Sequence, residues 1–310
     1  MKERSIFTKK AVVIPLTLIC CLLWGSAFPC IKLGYGFSKI AADNTYSQIL
    51  YAGLRFTLAG IFALITGSFL AHKPLYPRAD EIPKILKLSL FQTILQYTFF
   101  YLGLARSTGM KSSVITASNV FLSIIVAALI FRTEKLSLRK IAGCFVGFFG
   151  VLLINISGLN GGLKLTGEGF IFLSALSYAF SAALIKRYST DHDPVMLSGW
   201  QFVFGGIVMT AIGCISGGSI PDVNTKGIMM IVYLAFVSAA AFSIWSTLLK
   251  HNPVSKISVF GFMNPVFGVI LSVLLLSEKS PGGPLMVCVS LLLVAAGIVI
   301  VNYSSQDKDI

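Results

Sequence analysis

Arg55 lies inside the apolar run Ser47–Ala71, which holds no acidic residue. A guanidinium there offers a rigid two-pronged fork to a carboxylate or a phosphate. It is also only about two turns from one end of its run, close enough to reach lipid headgroups or pair with a helix C-terminus. A second group occupies the run Ile85–Ala105: Gln92 with Gln96, and Tyr97 with Tyr101, are each spaced four apart. On a helix they form adjacent polar and aromatic stripes. Such stripes can hydrogen-bond and stack a polar solute, or tie helices together and anchor them at the interface. Asn119, Trp245, Ser246 and Asn264 add polar or aromatic groups within other apolar runs. Pro265, next to Asn264, withholds a backbone donor and so frees a carbonyl to face a cavity.

Other chemistries find no support. There is no GxSxG elbow, HExxH, Walker loop or paired carboxylate at depth, so the sequence points to no enzyme, no ATP use and no cofactor. Cys20, Cys21, Cys30, Cys144, Cys214 and Cys288 all fall in apolar runs without a CxxC pair, which excludes a disulfide framework and a metal set. His72, His192 and His251 sit at helix edges or in loops and read as solvated. Acidic residues are missing from the middle of every run, because Glu134, Glu168 and Glu278 lie near ends. Proton-coupled carriers commonly bury a carboxylate relay. Its absence favours uniport or exchange, and a zwitterionic or anionic solute over a lipophilic cation; coupling through Arg, Lys or an edge glutamate stays open.

The elements that must position these residues follow from composition. Of 310 residues 55% are hydrophobic and 12% charged, about half the soluble norm. Ten runs approach the ~20 residues a bilayer span needs: Ala11–Gly34, Ser47–Ala71, Ile85–Ala105, Ser112–Phe131, Leu138–Ile156, Gly169–Ile185, Val195–Ile215, Gly227–Leu249, Ile257–Leu276 and Pro284–Tyr303. They are long and continuously apolar, which predicts helices rather than barrel strands, and hence an all-α polytopic membrane protein of ten transmembrane helices. The first run follows four basic residues but is too long for a signal core, and nine more runs follow it.

The net charge of +13 need not mean nucleic acid. With the N-terminus cytoplasmic, seventeen Lys and Arg fall in the tails and the connections after helices 2, 4, 6 and 8. Seven fall on the other side (Lys32, Lys39, Arg106, Lys111, Lys164, Lys226, Lys279), and Arg55 lies within helix 2. The positive-inside rule puts both termini in the cytoplasm.

The chain also repeats itself at an offset near 150 residues. Trp24-Gly-Ser-Ala-Phe-Pro-Cys-Ile-Lys32 lies over Tyr178-Ala-Phe-Ser-Ala-Ala-Leu-Ile-Lys186, and Tyr101 and Arg106 over Trp245 and Lys250. Phe131-Arg-Thr-Glu134-Lys matches Leu276-Ser-Glu278-Lys, each glutamate leading into another apolar helix. A unit of five helices enters the membrane upside down the second time. The loop charges agree, with four basic residues around Glu134 and one around Glu278. Inverted repeats about a midplane site are a design of secondary transporters. The repeats are 11–156 and 169–303, joined by a linker 157–168 and flanked by cytoplasmic tails 1–10 and 304–310.

Two five-helix halves, Trp24-Gly25-Ser26 with Lys32 in helix 1, and Glu134 and Glu278 each leading into a glycine-bearing helix resemble the EamA branch of the drug/metabolite transporter superfamily. The resemblance spans nearly the whole chain. It departs from an even pattern at Tyr178, opposite Trp24, and at Asn264-Pro265, which has no proline counterpart in helix 4. It implies a ten-helix basket around a central cavity, in a bacterial inner membrane, exporting amino acids or other small metabolites.

The resulting expectation is alternating-access transport of a small polar metabolite. Arg55, Gln92, Gln96, Tyr97, Tyr101, Asn119, Trp245, Ser246 and Asn264 are the candidate binding residues. Trp24, Lys32, Glu134, Pro265 and Glu278 are candidate structural or gating residues. A channel-like facilitator, or a carrier of drugs or nucleotide-related metabolites, is the alternative. The glycine steps Gly143, Gly147 and Gly150 offer a contact face within the fold or between the protomers of a homodimer.

Overall fold

Lipid offers no hydrogen-bond partners, so an apolar run must satisfy its backbone internally. A computed structural model describes residues 5–104, 106–107, 109–155, 165–276 and 283–303, and the elements in them are all helical. We label the helices α1 (Lys10–Phe37), α2 (Thr45–Leu70), α3 (residues 82–104), α4 (residues 109–130), α5 (Leu138–Asn155), α6 (Leu165–Tyr188), α7 (Pro194–Ile215), α8 (Thr225–His251), α9 (residues 254–276) and α10 (Gly283–Tyr303). Among the described residues seven of them, α1, α2 and α6–α10, are long and apolar enough to cross a bilayer, and α4 adds the shorter apolar stretch Val114–Ile130.

Three helices start a few residues before their apolar runs because side chains cap them. Asn44 accepts from Ser47 N at the start of α2, and Asn224 from Gly227 N at the start of α8. At α7 Asp193 accepts from both Val195 N and Met196 N, with Pro194 in the first position. Each cap satisfies donors that a helix N-terminus leaves free.

Glycine governs the tightest packing. The α2 and α7 backbones meet at Gly53 and Gly206, where a Cβ on Gly206 would lie 2.4 Å from Thr57 N. α5 meets α10 in the same way, and a Cβ on Gly143 would come within 2.9 Å of the Gly297 carbonyl oxygen. The Gly143 face is therefore used inside the chain. Around these two seams α1 packs against α8 and α9, and α6 packs against α3 and α4. Outward-facing side chains such as Ile65, Phe69, Leu129, Phe145, Leu274 and Leu292 form the apolar exterior.

Polar contacts collect at the two ends of the bundle. At the end carrying the N-terminus, Glu134 accepts from Ser255 N at 2.9 Å, from the Ser255 hydroxyl, and from Lys140 Nζ at 2.7 Å. His192 Nδ1 lies 2.7 Å from Glu81 Oε1 and both side chains are largely buried, which corrects the expectation of a solvated histidine. Asn252 donates to the Phe7 carbonyl, and Lys186 to the carbonyl of Lys250. At the opposite end Ser219 N donates to Ser47 Oγ, and Lys39 pairs with Asp222 at 3.1 Å. That ammonium holds the Asp222 carboxyl below the usual carboxylate range.

Candidate substrate cavity

Six helices, α1, α3, α4, α6, α8 and α9, together with Arg55 of α2, surround a cavity of about 890 Å³. Its lining reaches Tyr35, Leu104, Ser112 and Val273, near helix ends on the face opposite the N-terminus. Its deepest members, among them Trp24, Tyr178, Phe242 and Gly261, lie near mid-depth. At that depth Trp24 and Phe242 join an aromatic layer. Trp24 meets Trp245 edge-on at 4.9 Å and Phe242 at 5.0 Å, and Phe242 meets Phe202 at 4.9 Å.

Arg55 is 4% exposed and turns into the cavity rather than along the lipid surface. Its guanidinium carbon lies 4.3 Å from the centroid of the Phe56 ring and 6.0 Å from that of Tyr97, and its Nε has no hydrogen-bond partner. Such ring contacts contribute about 0.5–2 kcal/mol, whereas dehydrating an unpaired cation costs several. Among the described residues the lining contains Arg55 and Lys32 as cations and no carboxylate. Glu81, Glu134 and Glu168 are buried at helix ends outside it, with Glu168 accepting from Ser107 Oγ at 3.0 Å. The guanidinium thus suits an anion brought by a solute.

Further buried polar atoms without partners sit on the same lining: Trp24 Nε1, Tyr35 OH, Gln96 Oε1, Thr116 Oγ1 and Asn264 Oδ1. Donors and acceptors are both present, alongside apolar surface from Phe28, Ile31, Phe100, Phe242 and Val269. A solute with a charged head and an apolar body matches this mixture.

Of the residues singled out from sequence, Arg55, Gln96, Tyr97, Tyr101, Asn119, Asn264, Trp24, Lys32 and Pro265 line the cavity. Gln92, Trp245, Ser246 and Glu134 do not. Residues Ser89–Leu95 of α3 wind as a π-helix, whose i→i+5 bonding breaks the assumed i,i+4 register and leaves Gln92 buried off the lining. Trp245 lies one layer under Trp24, and Ser246 spends its hydroxyl on Ser198 Oγ at 2.7 Å, joining α8 to α7. Glu134 caps the first turn of α9, and Glu278 lies outside the described residues. Sequence reasoning passed over Tyr35, Phe100, Ser112 and Thr116. The two hydroxyls, polar groups in the apolar run of α4, could have been found by the logic that found Asn119.

Helix irregularities position several of these groups. α4 breaks at Ser118, immediately before Asn119, where the Ser118 hydroxyl donates to the Ile115 carbonyl. α9 passes through a 3-10 turn, Val259–Phe262, just before Asn264-Pro265, and the proline ring has no N–H to give the Gly261 carbonyl. Gly261 lies on the cavity lining.

The sequence pattern of the EamA-like transporter family matches residues 12–156 and again 165–303. The chain belongs to that family. Among similar proteins, an uncharacterized transporter of Archaeoglobus fulgidus is 28% identical over 280 residues, 87% of this chain and 91% of its own. A protein of Escherichia coli (strain K12) described as a probable amino-acid metabolite efflux pump is 27% identical over 281 residues, 86% of this chain and 88% of its own. A WAT1-related chloroplastic protein of Arabidopsis thaliana is 28% identical over 191 residues, 58% of this chain and 46% of its own. One crystal structure superposes with a TM-score of 0.77 at 16% identity, covering 95% of this chain and 98% of the other, a likeness of fold.

Proposed function

We propose that this EamA-family transporter carries a small carboxylate-bearing metabolite, such as an amino acid, by alternating access between two inverted five-helix halves, with export as its working direction. The observation that carries the substrate charge is Arg55, a buried guanidinium on a cavity whose lining has no carboxylate among the described residues. The lining also modifies the expected solute: Phe28, Phe100, Phe242 and Val269 favour one that is amphipathic rather than uniformly polar. The efflux description of the Escherichia coli relative supports the direction and the amino-acid class.

The inverted halves gain support from the packing. Exchanging α1–α5 with α6–α10 maps the α2–α7 and α5–α10 seams onto themselves, α1–α8 onto α6–α3, and α1–α9 onto α6–α4. Ten spans with both termini cytoplasmic remain the topology we propose, on the charge bias of seventeen against seven. In that orientation, within a bacterial inner membrane, the cavity faces the periplasm. The aromatic layer beneath it and the Glu134–Ser255 contact form the cytoplasmic closure, which supports a gated carrier over an open pore.

Counterflow in proteoliposomes tests the proposal. A labelled amino-acid mixture should exchange with saturation, and Arg55→Gln should weaken half-saturation roughly 10- to 100-fold, as expected for losing a charge-assisted bond. Flux that rises linearly with concentration would sink the carrier reading. Unchanged half-saturation in an Arg55→Gln protein that still inserts would sink the assignment of the anion site.

A further inference from the structure

We propose that Arg55 makes this protein an obligatory exchanger: it returns across the membrane only when loaded, swapping one carboxylate-bearing solute for another. The inference rests on the transporter reading and adds a constraint that uniport would not obey.

The argument concerns the charge of the empty site. With the cavity open to one face, its 890 Å³ can hold water around the guanidinium. To present the site to the other side the carrier must pass through an occluded arrangement that sheds most of this water. Arg55 is already only 4% exposed, and it lies against the Phe56 and Tyr97 rings, which offset only part of the lost hydration. Among the described residues no acidic side chain lines the cavity to take over as counter-ion. The buried glutamates are held elsewhere: Glu81 by Arg78 N and His192, Glu134 by Ser255 and Lys140, and Glu168 by Ser107. Occlusion of the empty carrier therefore strands a cation in low dielectric, and a bound carboxylate removes that penalty.

A zwitterion meets the same requirement. Its carboxylate neutralises Arg55, and its ammonium can turn to the carbonyl oxygens of Gln96 and Asn264, both without protein partners. A cationic solute, or a neutral one without an anionic group, leaves the cation uncompensated and should not promote the return step. A solute thus serves as substrate in one direction and as counter-ion for the guanidinium in the other.

The test uses the purified full chain in liposomes, with two external probes: a ¹⁴C-labelled amino-acid mixture and a labelled mixture of hydroxy and keto acids. Uptake is compared between vesicles loaded with the same unlabelled mixture and vesicles loaded with buffer. We expect loaded vesicles to be faster by at least about tenfold, the effect of a barrier difference no larger than a modestly dehydrated charge would impose. Arg55→Lys keeps the charge and should keep the preference. Arg55→Gln removes the guanidinium charge while keeping Lys32, and should bring the two rates within about twofold of each other, whatever its affinity. Equal rates for the wild type overturn the exchange constraint and leave the transporter reading standing. Saturable uptake in neither vesicle with either probe overturns the carboxylate-transporter reading itself, and with it the exchange. A preference undiminished in Arg55→Gln, in protein that inserts normally, assigns exchange to some other group and defeats the proposal.

Discussion

The α2–α7 seam and the cavity wall are built from the same apolar vocabulary and differ in almost every physical respect. At the seam, regular helices bring glycines together until backbone touches backbone, as at Gly53 and Gly206. Along the wall the helices are irregular: α3 carries a π-helical stretch, α4 a break at Ser118, and α9 a 3-10 turn before a proline. Buried polar atoms without partners are frequent on the wall, among them Trp24 Nε1, Tyr35 OH, Gln96 Oε1 and Asn264 Oδ1. Close packing is worth most where nothing has to change. Unsatisfied polar groups cost stability and persist where a ligand can use them. Glycine contacts thus mark where the helices are held together, and unpartnered polar atoms mark the cavity wall.

The largest effect belongs to the seam. Gly206→Ala should lower stability by about 1–3 kcal/mol through overpacking, seen as a fall in the thermal midpoint in detergent. Gly36→Ala, with nothing within 4 Å of the added carbon, should leave that midpoint in place. If both behave alike, close backbone contact is not what stabilises the bundle.

Next comes the polar cap at the end that carries the N-terminus. Glu134→Gln keeps an acceptor for Ser255 but loses the charge facing Lys140, and should cost about 1–2 kcal/mol. The same thermal assay reads it, and Lys140→Gln should reproduce part of the loss.

Within α3 the contrast sharpens to a single turn. Gln96→Ala should raise half-saturation in counterflow by roughly five- to tenfold, as for one neutral hydrogen bond, while Gln92→Ala should not move it. Equal effects would mean that the π-helical stretch does not separate the two glutamines.

The smallest effect is at the exposed Lys39–Asp222 pair. The carboxyl pKa is lowered in the fold, so its contribution is present near neutrality and fades as pH falls through that depressed value. Exposure and salt screening keep it small. Asp222→Asn should therefore leave the neutral-pH thermal midpoint unchanged within error.

The helical, membrane-embedded nature of the chain was legible because it depends on apolar run length, which composition and spacing report directly. Arg55, Asn119 and Asn264 were legible as cavity residues because polar groups at depth have few tolerable places to go. Gln92 falls off the cavity lining because the π-helical stretch departs from an ideal helix, and that stretch carries no sequence mark comparable to proline. Trp245 and Ser246 share the composition of the cavity wall and lie beneath it, since depth along a helix depends on partners on other helices, Trp24 for one and Ser198 for the other. Glu134 stood out by repetition, but its role as the cap of α9 required the tertiary contact with Ser255. The helices after Asn44, Asp193 and Asn224 begin within about two residues of their apolar runs, at points that the capping residues fix.

The wide turn in α3 also acts as a phase shifter. A π-type turn takes up one residue more than an α-helical turn, so everything beyond it is rotated by about 100° relative to an uninterrupted helix. That rotation sets which way Gln96, Tyr97 and Tyr101 face, with Thr93 inside the turn tied to Gln201 of α7 at 2.6 Å. Deleting a single residue between 89 and 95 would restore an ordinary helix and swing these three side chains off the cavity, together with Phe100 and Leu104 farther along α3. In this fold the identity of the solute-facing surface is thus partly a matter of counting, encoded in the length of a helix as well as in its letters.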